Sequence, residues 1–128
     1  MKKHAHKTAD DLAREMNTHR DSDRVLSGWY QMNEGEMGQE AFPFDLHGLR
    51  FENVVFADGD FEDVHFVNCH LKEVTFKRCA MVFSSFVDSS LSSVAVHAEP
   101  MDALGFVRCS VERLYVDSAE HAAWKHVG

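Results

Sequence analysis

The chain has 128 residues and a net charge of −8 at neutral pH, with 21 acidic side chains against 13 Lys and Arg. This length fits one domain, and the acidic excess disfavours direct binding to nucleic-acid phosphates. No uninterrupted apolar run approaches the roughly 18 residues needed to span a bilayer, and no apolar segment follows the basic start Met1-Lys2-Lys3. We therefore expect a soluble, cytoplasmic protein.

The N-terminal region is predicted to form a helix followed by a loop. Thr8 with Asp11 three residues later is typical of a helix start, and the next apolar residues share one helical face over residues 8–19: Ala9, Leu12, Ala13 and Met16. A second apolar group at residues 25–30 precedes a polar, glycine-containing loop at residues 33–38. We assign residues 1–43 to an N-terminal helical and loop cap.

A five-residue apolar period dominates the rest of the chain. Every fifth position is apolar, in the series Leu46, Phe51, Phe56, Phe61, Phe66, Leu71, Phe76, Met81, Phe86, Leu91, Val96, Met101, Phe106, Val111, Val116. At a hydrophobic fraction of 45%, these fifteen consecutive matches have a chance probability of roughly 6 in a million. The period is therefore a real feature of the sequence.

A second set of apolar or small residues lies two positions before each member of the first. It comprises Phe44, Leu49, Val54, Gly59, Val64, Cys69, Val74, Cys79, Ser84, Ser89, Val94, Leu104, Cys109 and Leu114, with Glu99 as the exception. The spacing alternates between two and three, whereas a helix needs three and four and a half-buried strand needs two throughout. We expect short extended segments that turn a corner once every five residues.

These features resemble the pentapeptide-repeat family, whose repeats carry a small residue, often Asp or Asn, then Leu or Phe, and two variable positions. Runs such as Val64-His65-Phe66-Val67-Asn68 and Cys69-His70-Leu71-Lys72-Glu73 carry the resemblance, which covers about residues 44–118. It implies an all-β solenoid, a right-handed four-sided β-helix of just under four coils that is about 18 Å tall. Several members of the family are DNA mimics that bind DNA gyrase and either inhibit it or protect it from quinolones.

The repeat has one interruption and a C-terminal flank. Glu99 occupies an inward position beside Pro100, and because a buried unpaired carboxylate is costly, we expect this segment to swing outward while the period continues. Residues 119–128 are predicted to form a short C-terminal helix or tail, in which Trp124 covers the last coil or meets a second subunit.

The three cysteines are predicted to be free and buried. Cys69 and Cys109 would share a column two coils and about 9.6 Å apart, beyond the roughly 7 Å that a disulfide tolerates between Cα atoms. Cys79 would lie on the opposite side of the coil. We interpret all three as core residues.

Stacking residues twenty apart predicts a shared apolar surface. Val67, Val87 and Val107 form one outward column, and Phe83 beside Val82 is a second exposed candidate. The valine column is covered by the N-terminal helix, contacts a partner or a second copy of the chain, or reflects β-propensity alone.

Carboxylates form the other candidate surface, at Asp58, Asp60, Glu62, Asp63 and Asp102. Residues 44–118 contain twelve acidic side chains against six Lys and Arg, a net charge of −6. Clustered carboxylates on a rigid support can imitate nucleic-acid phosphates in a basic groove, and they also keep a protein soluble.

Nothing in the sequence predicts catalytic, cofactor-binding or metal-ligating residues. There is no nucleophile elbow and no Gly-rich phosphate loop, and the histidines do not combine with the inward cysteines. Two hypotheses follow. The first is a non-catalytic binding protein whose acidic rod engages a protein partner such as DNA gyrase, and the second is a structural or adaptor module, associated with a phage, toxin or effector, that binds through the apolar column or the N-terminal helix.

Overall fold

The computed structural model describes residues 6–117 and is rich in β-strands. The one α-helix of this part of the chain is α1 (Ala9–His19), and a 3-10 helix spans Glu36–Gly38. The strands are β1 (Lys7–Thr8), β2 (Val25–Gln31), β3 (Leu46–His47), β4 (Arg50–Ala57), β5 (His65–Val67), β6 (His70–Cys79), β7 (Ser85–Val87), β8 (Ser90–Ala98), β9 (Gly105–Val107) and β10 (Ser110–Asp117).

The strands form two parallel sheets. The larger has the order β1-β2-β4-β6-β8-β10, and the smaller has the order β3-β5-β7-β9. From β3 onward, partners are twenty residues apart, as in the pairs Leu46↔Phe66 and Phe66↔Phe86, except at Cys79↔Ala98, where an irregularity reduces the offset to nineteen. Side chains at intervals of twenty residues therefore stack in columns, as the sequence predicts.

The segments that connect the larger sheet to the smaller one also stack on one another. Residues 59–63, 79–83 and 99–103 are joined by backbone hydrogen bonds, with Phe83 N–H donating to the carbonyl of Asp102 at 2.9 Å and Asp63 N–H donating to that of Val82 at 2.8 Å. These three connecting segments therefore form an ordered surface, because each is held by the next through its backbone.

Corners recur every five residues at backbone positions with left-handed φ. Positive φ angles of 51–65° occur at Asn53, Asp58, Asp63, Asn68, Glu73, Arg78, Phe83, Asp88, Ser93, Ala103, Arg108 and Arg113, and Gly48 has φ 64°. Asn, Asp and Gly adopt this region readily, whereas a bulky residue such as phenylalanine is an outlier there. These corners supply the turn that the alternating two-and-three spacing requires.

Most of the predicted inward residues make the core, and Leu104, Phe106, Cys109 and Val111 are only partly buried against it. Phe51, Phe56, Phe61, Phe66, Phe76 and Phe86 are fully buried. The rings stack in columns, with centroids 5.0 Å apart for Phe56 and Phe76 and 4.8 Å apart for Phe66 and Phe86. Each such side chain contributes about 1.5–3 kcal/mol through burial, so the aromatic columns are the main stabilising feature.

At two positions of the second inward set, Phe44 and Glu99, the structure contradicts one prediction and confirms the other. Phe44 was predicted to point inward, and this is wrong, because its side chain is 41% exposed while Phe42 is buried and contacts Phe61. The Phe42 ring fills the space over Phe61 instead, with the ring centroids 6.1 Å apart, so Phe44 is left at the surface. The outward swing of Glu99 is confirmed, since Glu99 is exposed, Ala98 is buried in its place and Met101 is buried again.

Helix α1 is confirmed, with a capping box at its start. The Thr8 side chain accepts from the Asp11 N–H, and the Asp11 carboxylate accepts from the Thr8 N–H at 2.8 Å. The helix buries Ala9, Leu12 and Met16 and packs against β1, β2 and the 3-10 helix.

Strand β2 was not predicted from the sequence. It pairs with β4 in parallel, with Leu26 opposite Phe51 and Tyr30 opposite Phe56, so its offset is 25 residues before an irregularity and 26 after it. The buried Tyr30 ring stacks on Phe56 with centroids 5.5 Å apart. The apolar group at residues 25–30 therefore extends the larger sheet below the repeat.

All three cysteines are free, and their burial differs. Cys69 and Cys79 are buried as predicted, whereas Cys109, in the last described layer of the stack, is only half-buried. Burial raises the pKa of Cys69 to about 11 and that of Cys79 to about 12. Their thiols are therefore protonated at neutral pH, which makes them poor nucleophiles.

At pH 8, we expect a thiol reagent such as dithionitrobenzoate to modify Cys109 well before Cys69 or Cys79. The measurement is the time course of modification, followed by peptide mass mapping, with the chain in guanidinium as the control in which all three react. Modification of Cys69 or Cys79 as rapid as that of Cys109 in the folded protein would contradict the inward placement of these thiols.

Candidate binding surface

The three connecting segments carry the densest group of carboxylates. Their exposed acidic side chains are Asp60, Glu62, Asp63, Glu99 and Asp102, which we call the acidic surface. Residues 59–63, 79–83 and 99–103 contain no Lys, Arg or His. The backbone ladder between these segments holds the carboxylates on one ordered surface, so their charges add to a local negative field.

Asp58, which the sequence grouped with these carboxylates, has a cationic partner. Arg78 donates two hydrogen bonds to its carboxylate, at 2.7 and 2.9 Å, and Gln31 donates a third. The hydrogen bond from Arg78 is the main cause that lowers the pKa of Asp58. The Asp58 carboxylate is therefore ionised, its negative charge is compensated by Arg78, and it lies at the edge of the acidic surface.

A second aspartate, Asp88, also has an arginine twenty residues later as its partner. Arg108 donates to the Asp88 carboxylate at 2.7 and 3.1 Å, which lowers the pKa of Asp88. Within residues 6–117, no such ion pair to Lys or Arg involves Asp60, Glu62, Asp63, Glu99 or Asp102. In this part of the chain the connecting segments thus carry carboxylates without a Lys or Arg partner, although His65 Nε2 lies 3.1 Å from Asp63 and Arg78 lines the same depression as Asp60 and Glu99.

Phe83 lies among these carboxylates and faces solvent. Its side chain is 59% exposed, the most exposed of the large apolar residues in the described chain, and its φ is 59°. Asp63 precedes it and Ala103 follows it in the same column, as the backbone ladder shows. The sequence predicted this exposure. The left-handed φ is a further finding, and it makes phenylalanine an unfavourable residue for this corner.

Val67, Val87 and Val107 share a column on the smaller sheet, as predicted. Val67 and Val87 are half-buried, and Val107 is 42% exposed. Helix α1 packs at β1 and β2, so it does not cover this exposed valine. The valine column therefore remains a candidate contact surface.

A hydrogen-bonded chain joins Ser85, His65 and Asp63. The Nδ1 atom of His65 lies 2.6 Å from Ser85 Oγ, and its Nε2 atom lies 3.1 Å from the Asp63 carboxylate. The order of groups matches that of serine hydrolases, but the Ser85 N–H already donates to a backbone carbonyl and is not free to bind an oxyanion. A similar bond of 2.7 Å joins His70 to Ser90, so we interpret both as contacts within columns.

Among the described residues, no three His, Cys, Asp or Glu side chains come together as a metal site. No helix in that part of the chain is long and apolar enough to cross a membrane. Trp124, predicted to contact the last coil or a second subunit, lies outside the described residues. No protein-family model matches the chain, and neither does any curated protein.

Proposed function

We propose that the chain is a pentapeptide-repeat protein whose two sheets and connecting segments wind into one right-handed, four-sided β-helix. Three observations support this architecture: the five-residue apolar period, the twenty-residue register of parallel strands, and left-handed corners five residues apart. Twenty residues divided into five-residue sides make four sides per coil, and parallel crossovers are right-handed in nearly all proteins. Helix α1 serves as the N-terminal cap, and residues 44–118 form just under four coils.

We further propose that this solenoid is non-catalytic and binds a protein partner through the acidic surface. The observation that carries this proposal is the set of five carboxylates without a Lys, Arg or His in the same three segments. Duplex DNA carries one negative charge about every 1.7 Å along its axis, so an enzyme that binds DNA presents a groove of matching positive charge. Carboxylates on coils spaced about 4.8 Å apart would occupy such a groove as a DNA mimic.

The family resemblance makes DNA gyrase the partner to test first. In a supercoiling assay, we expect the wild-type protein to inhibit gyrase, or to protect it from a quinolone, at micromolar concentration. A variant with Asp60→Asn, Glu62→Gln and Asp102→Asn should be about threefold to a hundredfold weaker, because each exposed ion pair contributes about 0.2–1 kcal/mol.

The matched control removes three carboxylates from the larger sheet, with Glu52→Gln, Glu73→Gln and Glu112→Gln. All three are exposed, and the change in net charge is the same. We expect this control to keep the activity of the wild type. An equal loss in both variants would show that only net charge matters, and no effect of the wild type on gyrase would remove gyrase as the partner.

The exposed apolar residues favour a second candidate function, that of a structural or adaptor module. Val107 is 42% exposed and Phe83 is 59% exposed, and exposed aromatic and apolar side chains of this kind supply the buried contacts at the centre of protein interfaces. If this function is the correct one, Val87→Asp should abolish capture of the partner, whereas neutralising Asp60 and Glu62 should not. The opposite result would favour the acidic surface.

A further inference from the structure

Two exposed aromatic side chains lie along one edge of the molecule, with a carboxylate between them. Phe44 is 41% exposed, Phe83 is 59% exposed, and the Asp63 side chain is 77% exposed. The Phe42 N–H donates to the Asp60 carbonyl and Leu46 pairs with Phe66, so Phe44 lies in the layer next to Asp63. The ladder of connecting segments places residue 63 beside residue 83. The order along this edge is therefore Phe44, Asp63, Phe83.

The spacing of this edge matches the dimensions of one guanidinium group. Neighbouring backbone segments are about 4.8 Å apart, so a cation held at Asp63 would be within reach of the aromatic side chains one layer away on either side. Cations are attracted to an aromatic face within about 6 Å of the ring centroid. Arginine suits such a position better than lysine, because its planar group can pair with a carboxylate and stack on a ring at the same time.

The carboxylates around this edge favour a positively charged ligand. Glu62 precedes Asp63 in the chain, and Asp102 lies beside Val82 through the backbone ladder. Within the described residues, no Lys or Arg pairs with these carboxylates. An incoming arginine shares Asp63 with His65, whose Nε2 atom lies 3.1 Å from the carboxylate. The half-buried Val82 adds apolar area next to the Phe83 ring.

We propose that the Phe44–Asp63–Phe83 edge holds an arginine side chain from a segment of a partner protein. The guanidinium pairs with the Asp63 carboxylate and stacks on Phe83, and the carboxylates of Glu62 and Asp102 attract further basic residues of the same segment. This inference rests on the proposed function, because it assumes that the acidic surface binds a protein. It adds that charge alone is insufficient and that an aromatic anchor is required.

Phe83→Asn is the most informative variant, since it separates binding from folding. Asparagine adopts left-handed φ more readily than phenylalanine, and the Phe83 side chain is mostly exposed, so the variant should have a melting temperature equal to or above that of the wild type. The matched control is Glu73→Asn, at an exposed corner with φ 56° in a different column. Unlike Phe83→Asn, this control removes one carboxylate, so it shows whether the loss of a distant negative charge weakens binding.

The experiment selects binders to the immobilised wild-type protein from a phage library of random twelve-residue peptides. We expect the enriched peptides to contain arginine next to an apolar residue. A synthetic peptide of the enriched sequence should bind Phe83→Asn at least about tenfold more weakly than the wild type, and it should bind Glu73→Asn unchanged. Replacing its arginine with lysine should also weaken binding.

Three results would overturn the inference: no enriched peptide, enriched peptides without arginine, or equal affinity for the wild type and Phe83→Asn. The variant with Asp60→Asn, Glu62→Gln and Asp102→Asn distinguishes the two proposals. If the peptide loses affinity for this variant but not for Phe83→Asn, the acidic surface stands and the aromatic anchor fails. If arginine peptides depend on Phe83 while gyrase does not respond to the protein, the anchor stands and gyrase is not the partner.

Discussion

Replacing Phe66 with alanine is expected to lower the free energy of unfolding by about 3–5 kcal/mol. The Phe66 side chain is fully buried, and its ring stacks on Phe86 with centroids 4.8 Å apart and planes 18° apart. Three further rings lie within 6.5 Å of it, those of Phe56, Phe61 and Phe76. Truncation leaves a cavity that these rings cannot fill, since each is held in its own column.

Urea denaturation followed by circular dichroism measures this loss. Phe83→Ala is the matched control, because it removes the same atoms from a side chain that is 59% exposed, and we expect a change within about 0.5 kcal/mol. An equal effect of the two substitutions would contradict the assignment of the five-residue period to the core.

Replacing Ser89 with alanine is expected to cost about 1–3 kcal/mol, although the change removes only one oxygen. The buried Ser89 hydroxyl accepts from the Cys69 N–H at 3.0 Å and lies within hydrogen-bonding distance of the carbonyls of Phe66 and Val87. Alanine would leave the Cys69 N–H buried without an acceptor, and that unsatisfied donor accounts for most of the expected cost.

Cysteine at position 89 should recover part of this stability. Cys69, Cys79 and Cys109 occupy equivalent small slots, and each Sγ donates to the carbonyl 23 residues earlier, as Ser89 Oγ does toward Phe66. Thermal melting of Ser89→Ala, Ser89→Cys and the exposed control Ser110→Ala tests the prediction. A Ser89→Ala variant as stable as the wild type, or a cysteine variant no better than alanine, would show that the slot requires only small volume.

The sequence predicted the core well because the core depends on a local pattern. A side chain that recurs every fifth residue is buried only if the chain turns once per period, so the identities of the inward residues followed without coordinates. The twenty-residue spacing also predicts the Asp58–Arg78 and Asp88–Arg108 pairs, and the grouping of Asp58 with free carboxylates overlooked its arginine partner.

The N-terminal part was predicted less well, because it has no period. Helix α1 was found from its capping residues and apolar face, whereas β2 was missed. Its offset of 25–26 residues from β4 depends on how the loop before Phe42 and the 3-10 helix are folded. Such an offset cannot be obtained from a repeat of twenty.

The sequence by itself determined the inward residues, the twenty-residue columns and the excess of negative charge, since all three follow from the order and type of side chains. Only the tertiary structure decided that Phe42 is buried in preference to Phe44 and that Phe83 occupies a left-handed corner among carboxylates that form no described ion pair with Lys or Arg. The physical reason is that exposure and charge compensation depend on the neighbours a residue meets in the next layer. Those neighbours are set by packing between distant segments, beyond what any local pattern contains.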